Sequence, residues 1–202
     1  MPDLTVPLSE AAIRALHVGD AVSLNGVIVT ARDAAHKYMF ENFIKRQPPE
    51  SERELYATLK GLLKGGVIYH CGPVVRQQRG RWTFVAAGPT TSIREEPYQG
   101  EVIAHFGLRA VIGKGGMGAS TLKACQRFGA VYLHAIGGAA TLIAASVKEV
   151  IAVHKLEFGV PEAFWVIRIE GFPAVVTMDS HGQSLHQQIE AASAAKLAAL
   201  LG

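Results

Sequence analysis

The sequence predicts an α/β fold with a parallel sheet portion. Three short apolar stretches each run into a glycine turn and then a helix-like segment. They are Phe84–Ala87 with Gly88-Pro89-Thr90-Thr91, Ala110–Ile112 with Gly113-Lys114-Gly115-Gly116, and Val131–Ile136 with Gly137-Gly138. Their leading glycines lie about one βα unit apart, the spacing that a crossover between parallel strands requires. The chain of 202 residues is 49% hydrophobic and 18% charged. That composition excludes disorder as the main state, and a chain of this size can bury about 70% of its extended surface. With no low-complexity linker to mark a cut, one domain over residues 1–202 is expected.

Leu4–Leu16 reads as a short strand leading into a helical turn, with Ser9 as N-cap ahead of Glu10. In Ala21–Thr30, β-branched and small residues surround Asn25-Gly26, a hairpin signal. A helix follows from Arg32 to about Arg46 and is stopped by Pro48-Pro49. Residues 48–66 form the most polar stretch; Glu54–Leu63 is compatible with a helix, and the whole reads as an insertion or lid. Val67–Val75 and Trp82–Ala87 read as strands joined through Gln78-Arg79-Gly80-Arg81. Phe164–Ile169 and Ala174–Met178 read as two closing strands around Gly171-Phe172-Pro173, and Gln183–Leu201 as an Ala-rich surface helix.

Twenty basic against seventeen acidic side chains leave a net charge of +3, too weak a bias for a nucleic-acid binder. Neither a basic-then-apolar leader nor an uncharged run of ~18 apolar residues is present. A soluble cytoplasmic protein with neither a nucleic-acid nor a membrane partner is therefore expected. Cys71 and Cys125 are too few for a disulfide scaffold and suit a reducing compartment. They are also too few to hold an iron–sulfur cluster by themselves.

Three turns carry the chemistry. Gly113-Lys114-Gly115-Gly116-Met117-Gly118 fits the G-x-G-x-x-G pattern, but the acidic residue due about 20 positions later is missing, since the next acid is Glu149. A structural turn and a small-anion site at a helix N-terminus both remain open, the latter strengthened by the charge of Lys114. In Gly88-Pro89-Thr90-Thr91-Ser92-Ile93-Arg94 the hydroxyls suit helix capping. Thr90 and Arg94 share one face if the segment is helical, and an arginine there suits a carboxylate. In Thr30-Ala31-Arg32-Asp33-Ala34-Ala35-His36, Arg32 opposes the helix dipole. Either an anion answers it or it pairs locally with Asp33 or Glu41. His70-Cys71 reads as a packed core pair, Cys125 as a buried helix residue, and His181 and His186 lack metal-ligand spacing.

Together with Ile136-Gly137-Gly138-Ala139-Ala140, these three turns resemble the C-terminal part of class I fumarases and, equally, the β subunit of L(+)-tartrate dehydratase. The resemblance runs from about Leu4 to Leu185. It implies a swivelling β/β/α domain that closes over a four-iron four-sulfur cluster held by three cysteines of a separate domain or subunit. This chain would then be a β subunit of a hetero-oligomer that binds no cluster alone, the cluster being supplied by an α partner. The resemblance implies that Thr90 is the catalytic base and that Arg32, Arg94 and Lys114 bind the carboxylates of a small dicarboxylate substrate. It further implies that the open iron acts as Lewis acid on the leaving hydroxyl. The stretch 48–66 is longer than the family pattern. Reversible hydration of fumarate to malate is the leading expectation, with tartrate dehydration as the alternative. A non-catalytic scaffold or regulatory paralogue is the alternative of another class.

Overall fold

The computed structural model describes residues 1–201. Strand β1 (Asp3–Thr5) leads to helix α1 (Glu10–Arg14), whose N-cap Ser9 accepts a hydrogen bond from the Ala12 amide as expected. Strand β2 (Ala21–Thr30) follows. Helix α2 (Asp33–Met39) continues through a π-helical turn, Phe40–Ile44. After α3 (Arg53–Leu63) and β3 (Val67–Tyr69) come β4 (Val74–Gln78) and β5 (Arg81–Ala86). The remaining elements are α4 (Glu96–Phe106), β6 (Ala110–Gly113), α5 (Ala119–Phe128), β7 (Val131–His134), α6 (Ala140–Ser146), β8 (Val147–His154), β9 (Phe164–Met178) and α7 (Leu185–Leu201).

Seven strands form one sheet in the order β1-β2-β3-β6-β7-β9-β8. The pairs from β1 to β7 are parallel, whereas β9 runs antiparallel to β7 and β8. Because β9 also pairs along its length with β2, from Ala21↔Val175 to Thr30↔Trp165, the ladder β2–β3–β6–β7–β9 returns to its start and closes. Strand alternation then sorts side chains to the two faces of this ring. Val67, Tyr69, Ala110, Ile112, Val131, Leu133, Trp165 and Ile167 point into one apolar cluster. Ile68, Val111, Tyr132, Phe164 and Val166 point into the other, where α2, α3, α4 and α5 cover them.

Four local expectations are corrected. Asn25-Gly26 makes no hairpin: Gly26 has φ +112 and marks a bulge, with the register shifting between Leu24 and Gly26. Opposite it, Gly171 (φ +62) kinks β9, and its amide donates to Asn25 Oδ1 at 2.8 Å. Both turn cues are thus the facing kinks of two long strands, and Phe164–Met178 is one strand rather than two. The Phe84–Ala87 stretch does not join the parallel sheet. It lies in the β4–β5 hairpin, whose turn residues Arg79 (φ 49) and Gly80 (φ 77) have left-handed backbones. That hairpin rests on the ring through Trp82 and Phe84, which meet Trp165 edge-on at 5.3 and 5.8 Å between ring centroids. Val67–Val75 is not one strand either, because the chain leaves the sheet after Tyr69.

Within the polar stretch 48–66, α3 buries Leu59 and Leu63 against the second cluster. No described residue of α7 is buried, in keeping with a surface helix, and no described helix is long and apolar enough to cross a membrane.

Candidate active site

Strands β2, β3, β6 and β7 are parallel, so their carboxyl ends share one edge, the place where sheets of this kind bind ligands. Arg32 follows β2, His70-Cys71-Gly72 follow β3, Lys114 follows β6, and Gly137-Gly138 follow β7. Between the tips of β3 and β6 runs the segment that carries Thr90. Its amide donates to the His70 carbonyl at 2.7 Å, its carbonyl accepts from the Lys114 amide at 3.3 Å, and the Ser92 amide donates to the Lys114 carbonyl at 3.0 Å. Thr90 and Lys114 are therefore held side by side by main chain. An added Cβ on Gly137 would touch Lys114 Cδ at 3.4 Å, which puts the β7 tip against the lysine stem. Arg32 lies over the β3 tip: a Cβ on Gly72 would come within 2.4 Å of its Nη1. Only glycine leaves room for the guanidinium.

The two arginines are each held by a carboxylate. Arg32 Nε lies 3.3 Å from Glu162 Oε1, and Glu162 Oε2 accepts from the Ala34 amide at 3.0 Å. The anion that answers Arg32 is therefore Glu162, and neither Asp33 nor Glu41 pairs with it. Asp33 instead pairs with Arg94, and Glu41 with Lys37. Among the described residues Lys114 has no ion pair. A guanidinium has five N–H donors and a single carboxylate engages at most two, so both arginines keep donors for a further anion.

Two expectations at this edge change. Thr90 and Arg94 do not share a helical face, because Thr90 is in an extended segment and Arg94 in the single 3₁₀ turn Ser92–Glu95 ahead of α4. Nor is the N-terminus of α5 free for an external anion. Glu96 occupies it, accepting from the amides of Gly118 (2.8 Å), Ser120 (2.9 Å) and Thr121 (3.2 Å) and from the Thr121 hydroxyl (2.6 Å). Glu96→Ala should cost about 2 kcal/mol in a urea unfolding experiment, since it strips a charged cap from a partly buried helix end.

Sequence reading missed the polar layer beneath the edge. His70 Nδ1 lies 2.8 Å from Ser92 Oγ, which also accepts from the Tyr132 hydroxyl at 2.9 Å. His70 Nε2 and His36 Nε2 approach the Gln99 side-chain amide at 2.8 and 3.0 Å, and His36 Nδ1 approaches the Arg32 carbonyl at 3.0 Å. A carbonyl only accepts, so Nδ1 of His36 carries the proton. A neutral His36 then presents a bare Nε2, which Gln99 Oε1 at 3.0 Å cannot serve; exchanging the two ends of that amide places its nitrogen, with two N–H donors, against both rings. Burial holds both imidazoles below their ordinary range, and a charge on His36 would oppose one on His70. Glu95 is fully buried here, its carboxyl pushed up to about 8, first by burial and then by the neighbouring Asp33 charge.

The two cysteines do not fit a cluster. Cys71 and Cys125 lie on different elements, both buried, and burial pushes each thiol up to about 12. No group of three or more His, Cys, Asp or Glu among the described residues is arranged to hold a metal ion.

The family model described as Fumarase C-terminus matches residues 3–189. The chain belongs to this fumarase C-terminal family. It is 52% identical over 195 residues to a Geobacillus stearothermophilus protein provisionally named fumarate hydratase class I. That match covers 96% of this chain but only 35% of the relative, so the chain spans about a third of that protein's length. It is 39% identical over 183 residues to the L(+)-tartrate dehydratase subunit beta of Escherichia coli K12, covering 90% of this chain and 85% of the relative. A Methanocaldococcus jannaschii protein, provisionally named as the same subunit, is 39% identical over 197 residues and covered over 96% of both chains. Within the fumarase C-terminal family, the edge that gathers Arg32, Thr90 and Lys114 is the candidate active site.

Proposed function

We propose that this chain is the β subunit of an iron–sulfur-dependent hydro-lyase that interconverts fumarate and malate. It assembles with an α subunit that carries the four-iron four-sulfur cluster, and it acts as a swivelling domain that closes its strand-end edge over that partner. The observation that carries the reading is the placement of Arg32, Thr90 and Lys114 on one edge of parallel strands, with Thr90 and Lys114 joined by main-chain hydrogen bonds. Family membership supports the reaction class. A reducing cytoplasm suits the two buried free cysteines.

This chain's share of the reaction is confined to the carboxylates and one carbon-bound proton. Arg32, Arg94 and Lys114 bind the two carboxylates and neutralise the charge that builds on one of them as the adjacent carbon loses its proton. Thr90 receives that proton. Its hydroxyl makes no hydrogen bond with another described residue of this chain, and a threonine needs a neighbour to become basic. The activating group is therefore assigned to the assembled complex. Tartrate dehydration is the second reading, favoured by the length match to the separate tartrate dehydratase β subunit.

The test is anaerobic reconstitution with a cluster-bearing α chain, followed by fumarate and L-tartrate assays. Turnover of fumarate in the complex alone supports the proposal, and preference for tartrate moves it to the second reading. A stable complex with neither activity would leave a scaffold. Arg94→Lys should raise KM by about 10- to 100-fold, because an ammonium cannot reproduce the guanidinium fork.

A further inference from the structure

Glu95 is a fully buried ionisable group near the edge whose partners do not add up. Neither carboxyl oxygen receives a hydrogen bond from a described residue, and the side chain is fully buried. The titratable groups facing it come from four elements. Asp33 comes from α2, His70 from the end of β3, Tyr132 from β7, and Arg94 from its own turn. His70 Nδ1 stands 4.0 Å away but serves Ser92 Oγ at 2.8 Å, and burial opposes its protonation. Asp33, paired with the adjoining Arg94, brings its carboxylate to the Glu95 side chain, and like an ionised Glu95 it can only accept. Two carboxylates facing each other bond only when one holds a proton. Asp33 is about a third exposed and has Arg94 as its partner, whereas Glu95 is fully buried with no cation bonded to it, so the shared proton belongs on Glu95.

We propose that Glu95 is a positioning residue: as a protonated acid it donates to the Asp33 carboxylate and so holds Asp33 against the guanidinium of Arg94. The arrangement is a relay of orientation from a buried acid to an exposed cation. Its kinetic consequence, that substrate binding weakens once Glu95 ionises, rests on the function proposed above. The proton's own location does not. Ionisation sets two negative carboxylates side by side, and Asp33 then leaves the position from which it orients Arg94. Folding raises the proton affinity of this carboxyl from the ordinary 4.5 to about 8. Its contribution to stability is therefore full at pH below the lower value and is lost as the pH rises through the higher one.

The deciding experiment is carbon-13 NMR of the carboxyl groups in the full chain across a pH titration. Glu95 should titrate near 8, and D33N should lower that value by about 1–3 units, because it removes the facing charge and supplies an N–H donor. Titration of wild-type Glu95 in the ordinary carboxylate range, or a value unmoved by D33N, overturns the proposal. In the reconstituted enzyme, KM for the dicarboxylate should rise between about pH 7 and about pH 9. E95Q, which keeps a donor and cannot ionise, should flatten that rise, whereas E95A should raise KM about tenfold at neutral pH. An alkaline rise preserved in E95Q refutes the positioning role. If wild type and variants alike show no turnover, the functional reading falls and the titration alone decides Glu95.

Discussion

Thr90→Val is expected to lower kcat of the assembled enzyme by about 10²–10⁴-fold with little change in KM. Thr90 is fixed through its backbone: the amide bonds to His70 and the carbonyl to Lys114. Valine keeps that backbone, the branched shape and the half-buried setting, so the substitution removes a hydroxyl and nothing that the edge needs to fold. An interaction made only while the proton is moving shows itself in kcat, and one made with bound substrate shows itself in KM. Deuterium exchange at the substrate's acidic carbon separates proton transfer from loss of water. Wild-type exchange in Thr90→Val would move the base to another residue.

Gly113→Ala should destabilise the chain by about 3 kcal/mol and lower its melting temperature by about 6–12 °C, as read by calorimetry. An added methyl would stand 1.8 Å from Ser92 Oγ and 2.9 Å from the Tyr132 hydroxyl. Neither can retreat at small cost, since Ser92 Oγ is the meeting point of His70 and Tyr132. Its displacement would carry Thr90 and Arg94 with it, because both belong to the same short segment. Ala at the neighbouring Gly137 is the control: its methyl would meet only Lys114 Cδ at 3.4 Å, so the melting temperature should hardly move. Equal losses at the two glycines would show that the Ser92 contact is not the cause.

The residues on the edge were readable because glycine turns after apolar runs have few meanings. Gly113-Lys114 and Ala31-Arg32 follow strands that the alternation of apolar residues already marks. The closure of the sheet was not readable. Asn25-Gly26 and Gly171-Phe172-Pro173 carry the same local signature as turns, and only the long pairing of β2 with β9 makes them kinks. The buried polar layer was hidden for a related reason. Ser92, Glu95 and Gln99 recur at helical spacing, the pattern of a face turned to water, but Tyr132, His36 and His70 cover that face. Periodicity tells which residues share a face, not what lies against it. For Arg32, the partner Glu162 is 130 positions away in the sequence, outside any window that local pairing rules scan.

The ring closed by β2 and β9 also governs the order in which this chain can fold. Its longest ladder joins residues 21–30 to residues 165–175, a pairing whose loop-closure entropy must be met before the contact returns any stability. During synthesis, β2, β3, β6 and β7 emerge well before the strand that completes them, and until then β2 and β7 present unpaired backbone. Chaperone dependence, cotranslational aggregation and truncation tolerance should all turn on β9. A nascent chain halted before Phe164 would hold every proposed site residue yet lack the strand that locks their supporting tips in place.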